Sequence, residues 1–354
     1  MPRDASPPAP PAPPLAPARS GRATGRVTLA DVARAAGVSP ITVSRALRRE
    51  RSVAPELVAR VEAAVRQLGY VPDPAARALA SARSDHVAVL VPLLSNNLFV
   101  DLLEAVHQVL WPAGFQTLIG VTHYDPAEEE QLLQAYLAHR PAGLLVTGFD
   151  RSEAARRLIA SSGVPCVHLM EITSAPAVHC VGFSQAEAGH AITQHLLARG
   201  RRRIAFVAAQ LDPRVMQRAE GYRRALRAAG LYDPARELLN PQRSSMALGG
   251  ALFAELLRRQ PDTDAVFFCN DDLAQGGLLA ALRLGVAVPA QVAVAGFNDL
   301  NGSDQMLPPL TTVRTPRSRI GAEAARMLLT LVRGEPVRAA SLDLGYELVT
   351  REST

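Results

Sequence analysis

Two groups of side chains in this sequence have types and spacings that suit recognition. Residues 39–51 read SPITVSRALRRER. A serine and a proline open a short helix, hydroxyls follow at Thr42 and Ser44, and arginines close it. Small and hydroxyl-bearing residues let the N–H groups at a helix start approach a phosphate, and the helix dipole favours the negative charge. Arg45, one turn on, is long enough to reach the acceptor edge of a guanine. A solvated surface helix is the competing reading. The second group lies just past apolar runs in the body of the chain: Ser95, Asn96 and Asn97; Glu171; Asn270 and Asp271; Asn298 and Asp299. Arg218, at the start of a helical stretch, joins them. Each alone suits a loop cap or turn. Converging on one crevice, the amides and carboxylates would suit sugar hydroxyls, and the guanidinium a carboxylate or a fork of hydroxyls.

The elements that must position the first group are well signalled. Thr28 to Asp31, TLAD, is a capping box that begins a helix. Leu29, Val32, Ala33 and Ala36 recur at helical spacing, and Gly37 supplies the left-handed stop. Ser39 caps a second helix with Pro40 at its first position. That interval is a helix-turn-helix. Val43, Ala46 and Leu47 face inward, leaving Ile41, Thr42, Ser44, Arg45 and Arg48 outside. A third helix from Pro55 to Tyr70 closes the small core with Leu57, Val58, Val61, Val65 and Leu68. Its N-cap, Ala54, is a poor one. Asp73 and Pro74 then start about two turns of helix, a length that is marginal in water. Leu79 is its one bulky apolar side chain, either packed on the first domain or wedged between base steps.

The second group requires a different scaffold. From His86 onward, HVAVLVP, FQTLIGVT, GLLVTG and PCVHLM read as buried parallel strands with helices between them. RIAFVAA, DAVFFCN and VAVAGF repeat the rhythm. Two successive βαβ series imply two doubly wound subdomains, with a ligand crevice at the carboxyl ends of the strands. The expected crossings lie between PCVHLM and VGFSQ, near Cys180, and around TTVRTP.

Composition narrows the partners. Residues 1–85 hold 13 arginines against 7 acidic residues, and the remainder 25 against 26, so the positive charge sits at the amino-terminal end. A basic segment ahead of a near-neutral body suggests a polyanion partner for that segment. There is no lysine, so every permanent cation there is an arginine. Residues 1–26 are Pro/Ala-rich, read as a disordered tail without a secretory h-region. No run reaches the roughly 18 apolar residues of a membrane helix. Those features, with Cys166, Cys180 and Cys269 dispersed as buried thiols, point to a cytoplasmic protein with no membrane partner. There is no P-loop, no GxSxG and no GxGxxG after a strand. His168, His179, His190 and His195 do not share a helical face, so no catalytic residue, metal ligand or cofactor is expected, and an enzyme is not.

The stretches VTLADVARAAGVSPITVSRAL and LGYVPDPAARALASARSD resemble the headpiece and hinge of the LacI/GalR family of bacterial repressors, and the likeness covers most of residues 27–350. VPLLSNNLF, HLMEITSAP, VGFSQAEA, RIAFVAAQLDPR and LDLGYEL are most similar to the gluconate-operon repressors. The resemblance implies an all-α helix-turn-helix headpiece (27–71), a hinge (72–85) and an α/β body of two periplasmic-binding-protein-like subdomains. Those subdomains would comprise about 86–180 with 311–337, and about 181–310 with 338–354. It implies base reading by Pro40, Ile41 and Arg45. It adds DNA contacts from Leu29, Ser39, Thr42, Ser44, Arg48 and Arg77, and a hinge Leu79 that pries open a palindromic operator. Effector contacts would fall on Ser95, Asn96, Asn97, Phe99, Glu171, Arg218, Asn270, Asp271 and Asn298. The expected protein is a homodimeric repressor of sugar-acid genes, released from double-stranded DNA by a gluconate-type inducer. A relative answering another sugar or a purine, or using its effector as co-repressor, is the alternative.

Overall fold

The computed structural model describes residues 27–48, 52–71, 84–94 and 97–354. The chain divides into an amino-terminal unit ending at Asp73 and a larger unit beyond it.

The amino-terminal unit has three helices, α1 (Leu29–Ala36), α2 (Pro40–Leu47) and α3 (Pro55–Leu68). The capping box forms as the spacing requires: the Thr28 N–H donates to Asp31 Oδ2 at 2.9 Å, and the Asp31 N–H donates back to Thr28 Oγ1 at 3.3 Å. Gly37 ends α1 at φ +62°, where a Cβ would be strained. Pro40 opens α2 and Ala54 gives α3 no side-chain cap. The core is Val32, Ala33, Ala36, Val43, Ala46, Val61 and Ala64, flanked by Leu29, Leu47, Val58, Val65 and Leu68.

The larger unit is built on two parallel sheets. In the first lobe β1 (His86–Val91), β2 (Gln116–Val121), β3 (Gly143–Thr147), β4 (Cys166–Leu169), β5 (His179–Gly182) and β11 (Ser341–Asp343) run in the order β11-β5-β4-β3-β1-β2. Helices α4 (Asn97–Leu110), α5 (Pro126–Ala138), α6 (Glu153–Ser162) and α11 (Arg317–Val332) complete it. The second lobe holds β6 (Ile204–Ala209), β7 (Glu237–Asn240), β8 (Ala265–Phe268) and β9 (Ala293–Ala295) in the order β7-β6-β8-β9. Its helices are α7 (Gln185–Ala198), α8 (Pro213–Ala228), α9 (Met246–Arg259) and α10 (Asp271–Leu284). β1, β3, β6 and β8 are buried almost throughout, because helices cover both faces of each sheet.

The chain crosses between the lobes three times, at Phe183, Thr315 and Gly345, and two of the expected boundaries move. The resemblance places residues 338–354 in the second subdomain, yet β11 pairs in parallel with β5 and so extends the first sheet. The resemblance places Thr312–Arg314 (β10) in the first. It instead pairs antiparallel with β12 (Glu347–Val349) and bridges to Asn298, beside the second sheet. In both cases a strand of three residues is placed by a non-local partner. Cys166 is half-buried; Cys180 and Cys269 are buried, and all three are free thiols.

Candidate functional site

On the amino-terminal unit, α2 turns two residues inward and leaves the rest of its surface open. Val43 and Ala46 are buried, whereas Pro40, Ile41, Arg45 and Arg48 are exposed and Thr42 and Ser44 partly so. Ile41 is 65 % exposed, an apolar side chain that takes no part in the core of its unit. Ser39 caps α2 through the Thr42 N–H at 3.1 Å, and its hydroxyl meets Thr42 Oγ1 at 2.9 Å. The expected residues on this helix and its caps therefore form one surface. Leu29 differs: its side chain packs on the core, so its N–H at the first position of α1 is the group left for an anion. Arg60 escaped the sequence reading. From α3 it donates through Nε and Nη2 to the Ala36 carbonyl, at 3.2 and 2.5 Å, and so closes the open end of α1 ahead of the turn. Arg77 and Leu79 lie outside the described residues.

In the larger unit, Phe99, Tyr124, Gln210, Arg218, Asn270 and Asn298 line one crevice between the lobes. Arg218 lies in the second turn of α8, not at its start. The helix begins at Pro213 with Asp212 as N-cap, a cap-plus-proline signal legible in LDPR. The Arg218 guanidinium lies over the Phe297 ring, 3.9 Å from its centroid, an arrangement that favours a desolvated cation. Its Nε donates to Gln185 Oε1 at 2.8 Å and Nη1 to the Cys269 carbonyl at 2.6 Å. Nη2 has no acceptor among the described residues. Burial lowers its hold on the proton, opposed by nearby Asp212. Two glycines set this position. A Cβ at Gly189 would strike the Arg218 backbone, and one at Gly221 would strike the Ala186 carbonyl, so α7 and α8 cross in close contact only because both are glycine.

Of the expected crevice residues, Phe99 is a buried wall. Asn270 precedes α10 without capping it and accepts from Ser244 Oγ at 3.1 Å. Asn298 is buried at φ +108°. Ser95 and Asn96 lie outside the described residues, and Asn97 contributes its backbone to the start of α4. Asp271 is a correction. Its fully buried carboxylate turns away from the crevice and accepts from Thr312 Oγ1 (2.6 Å), the Leu300 N–H (2.6 Å) and Ser303 Oγ (3.0 Å). Burial raises its pKa to about 6, with those three bonds pulling the other way. Asp299 is likewise engaged, by Arg314 and Arg351.

Glu171 is buried too, and partners from the opposite lobe occupy it. Arg214 Nη1 lies 3.2 Å from Oε2, and Gln217 Nε2 donates to Oε1 at 2.7 Å. The same Arg214 nitrogen meets Asp150 Oδ1 at 3.2 Å, while its Nε meets Asp212. Burial opposes the Arg214 charge, but Asp212, Asp150, Tyr124 and Glu171 outweigh it and raise the pKa. Further along, Arg317 joins Asp101 at 2.6 Å to the Asn298 carbonyl at 2.7 Å. The sequence reading missed Arg214, Gln217 and Arg317, each of which bridges the lobes.

Residues 28–73 match the family model described as bacterial regulatory proteins, lacI family, and residues 193–354 match a periplasmic binding protein-like domain. An HTH-type transcriptional regulator GntR of Pseudomonas aeruginosa is 60% identical over 333 residues, covering 94% of this chain and 97% of that protein. The crystal structure of a transcription regulator GntR from Chromobacterium violaceum is 49% identical, with a TM-score of 0.74, over 76% of this chain and 98% of that one. A lac repressor dimer bound to operator and an anti-inducer is 25% identical, with a TM-score of 0.81, over 93% and 99% of the two chains.

Proposed function

The chain belongs to the lacI family of bacterial regulatory proteins, and on that premise we propose a dimeric repressor whose crevice takes a gluconate-type sugar acid and then releases an operator. That it is a DNA-binding transcriptional regulator follows from the family. The observation that carries the effector reading is Arg218: a buried guanidinium stacked on Phe297, with one terminal nitrogen that meets no acceptor among the described residues and would suit a ligand oxygen. A carboxylate or a pair of hydroxyls suits that fork.

Each headpiece would lay α2 in a major groove. Ser39, Thr42, Ser44 and Arg48 would hold phosphates, Arg45 would reach a guanine, and Pro40 and Ile41 would press on apolar edges such as thymine methyls. Arg77 and Leu79 would act at the operator centre, the leucine as a wedge. Pairing two copies on a palindrome joins two modest half-sites into one specific site. Exposed Met246 and Leu284 line one groove between α9 and α10, and a contiguous apolar surface of this kind supports a homodimer. Nothing in this reading calls for a catalytic step or a cofactor. The chromosome as partner puts the protein in the cytoplasm, and no helix among the described residues is long and apolar enough to cross a membrane.

Ligand capture and operator binding are reciprocal in such a scheme: each weakens the other by the same factor, typically about 1–3 kcal/mol. The test is a gel-retardation titration on a near-palindromic duplex with a central CG step, with and without gluconate. Retardation lost on adding gluconate is expected. Retardation that gluconate strengthens favours the co-repressor alternative, and none above random competitor overturns the reading.

A further inference from the structure

The crevice contains two carbonyl oxygens that meet no donor among the described residues. Gln210 Oε1 and Asn298 Oδ1 are shut off from water, and neither accepts a hydrogen bond among the described residues. Both side chains line the same cavity. Buried acceptors are almost always paired, so two orphans in one place call for an outside donor.

The backbone gives a second, independent sign. Gln210 sits at φ +70° and Asn298 at φ +108°, a region that residues with a Cβ occupy at a cost and that recurs at ligand clamps. Each is pinned there. The Gln210 N–H donates to the Gln242 carbonyl at 2.9 Å, and the Asn298 N–H to the Val313 carbonyl at 2.8 Å. Gln210 immediately follows β6 and Asn298 follows β9, so both amides leave carboxyl ends of strands in one parallel sheet. Their neighbours are partly engaged: Asn270 by Ser244, and Nε and Nη1 of Arg218 by Gln185 and the Cys269 carbonyl.

We propose that Gln210 is a specificity-determining residue of the crevice, accepting a hydrogen bond from one ligand hydroxyl while Asn298 accepts from another. The ligand is then a polyhydroxylated molecule with two hydroxyl donors at this end. A carbonyl in place of either hydroxyl sets acceptor against acceptor and is rejected. The assignment rests on the reading of the crevice as the effector site and names the ligand chemistry that this wall selects.

The experiment is isothermal titration calorimetry on the full chain with gluconate, its monodeoxy and keto analogues, glucose and cellobiose. Gln210→Met, of nearly the same shape, should bind the wild-type ligand at least tenfold more weakly. One monodeoxy analogue should bind the wild type about as weakly as the parent ligand binds Gln210→Met, and that variant should no longer tell the two apart. Gln210→Glu keeps an acceptor and should keep the discrimination. An unchanged Kd in Gln210→Met, or keto analogues that bind better than the parent, would overturn the assignment. If the wild type takes a neutral sugar and no acid, the sugar-acid reading falls, and Gln210 is judged on deoxy analogues of that sugar. If it takes none of these, both fall.

Discussion

Arg214 and Glu171 come from opposite lobes and meet in the interior, Nη1 to Oε2 at 3.2 Å, each side chain 6 % exposed. With Asp150, Asp212 and Gln217 they form a latch across the crevice. Removing one partner of such a pair strands the other as an uncompensated charge, the costly way to break it.

Arg214→Ala should therefore lower unfolding stability by about 3–5 kcal/mol, read by denaturant titration. Adding Glu171→Gln should restore part of the loss, because it neutralises one stranded carboxylate. A single variant as stable as the wild type would show that the latch contributes nothing.

Arg218→Ala should leave operator binding intact and abolish its release by the effector. The lost contacts to a charged group correspond to about 1.5–3 kcal/mol of ligand affinity. Arg218→Lys should fall in between, since lysine keeps the charge without the planar stack on Phe297. Calorimetry with unaltered effector binding in Arg218→Ala would rule out the assignment.

Arg45→Ala should cost about 1–3 kcal/mol on the preferred operator and flatten base preference at one position of each half-site. Arg48→Ala should instead weaken all sequences alike and reduce the salt dependence. A gel-shift series over single-base variants distinguishes the two outcomes. Unchanged selectivity in Arg45→Ala would end its base-reading role.

Two buried groups act in opposition as pH changes. Burial raises Asp271 to about 6, so between its unfolded value and pH 6 the folded chain holds a proton that the unfolded chain has released. Stability from this group therefore falls as pH rises through that window. His168 is lowered to about 4 by burial, ahead of its other influences. Between pH 4 and 6.5 the unfolded chain holds its proton and the folded chain does not, so stability rises with pH. Shifts of this size amount to about 3 kcal/mol each and nearly cancel. In Asp271→Asn the histidine contribution is no longer offset by this carboxylate, and melting temperature should climb from pH 4 to 6.5 more steeply than in the wild type. Equal slopes would show that Asp271 does not titrate there.

The headpiece was legible because its instructions are local: the Thr28 box, Gly37 and the Ser39–Pro40 pair each act within a few residues. The buried strands were legible for the same reason, as short apolar runs between turn residues. What escaped is non-local. β11 is three residues, two of them exposed, given their place by β5, over 150 residues away. Asp271 looked like its neighbour Asn270, but the first turn of α10 sends it to Thr312 and Ser303. The role of Arg214 is set by three carboxylates that close on it, two of them from the other lobe. Its one local sign was the Asp212–Pro213 helix start.

The three passages between the lobes are stitched edge to edge. The third pairs with the first on one side, Leu344 N–H to the Gly182 carbonyl, and with the second on the other through β12 and β10. Three cords lashed flat behave as a strap: it folds readily across its breadth and resists being wrung or slid. The lobes are thereby confined to opening and shutting like the covers of a book, with Phe183 and Tyr346 in the spine.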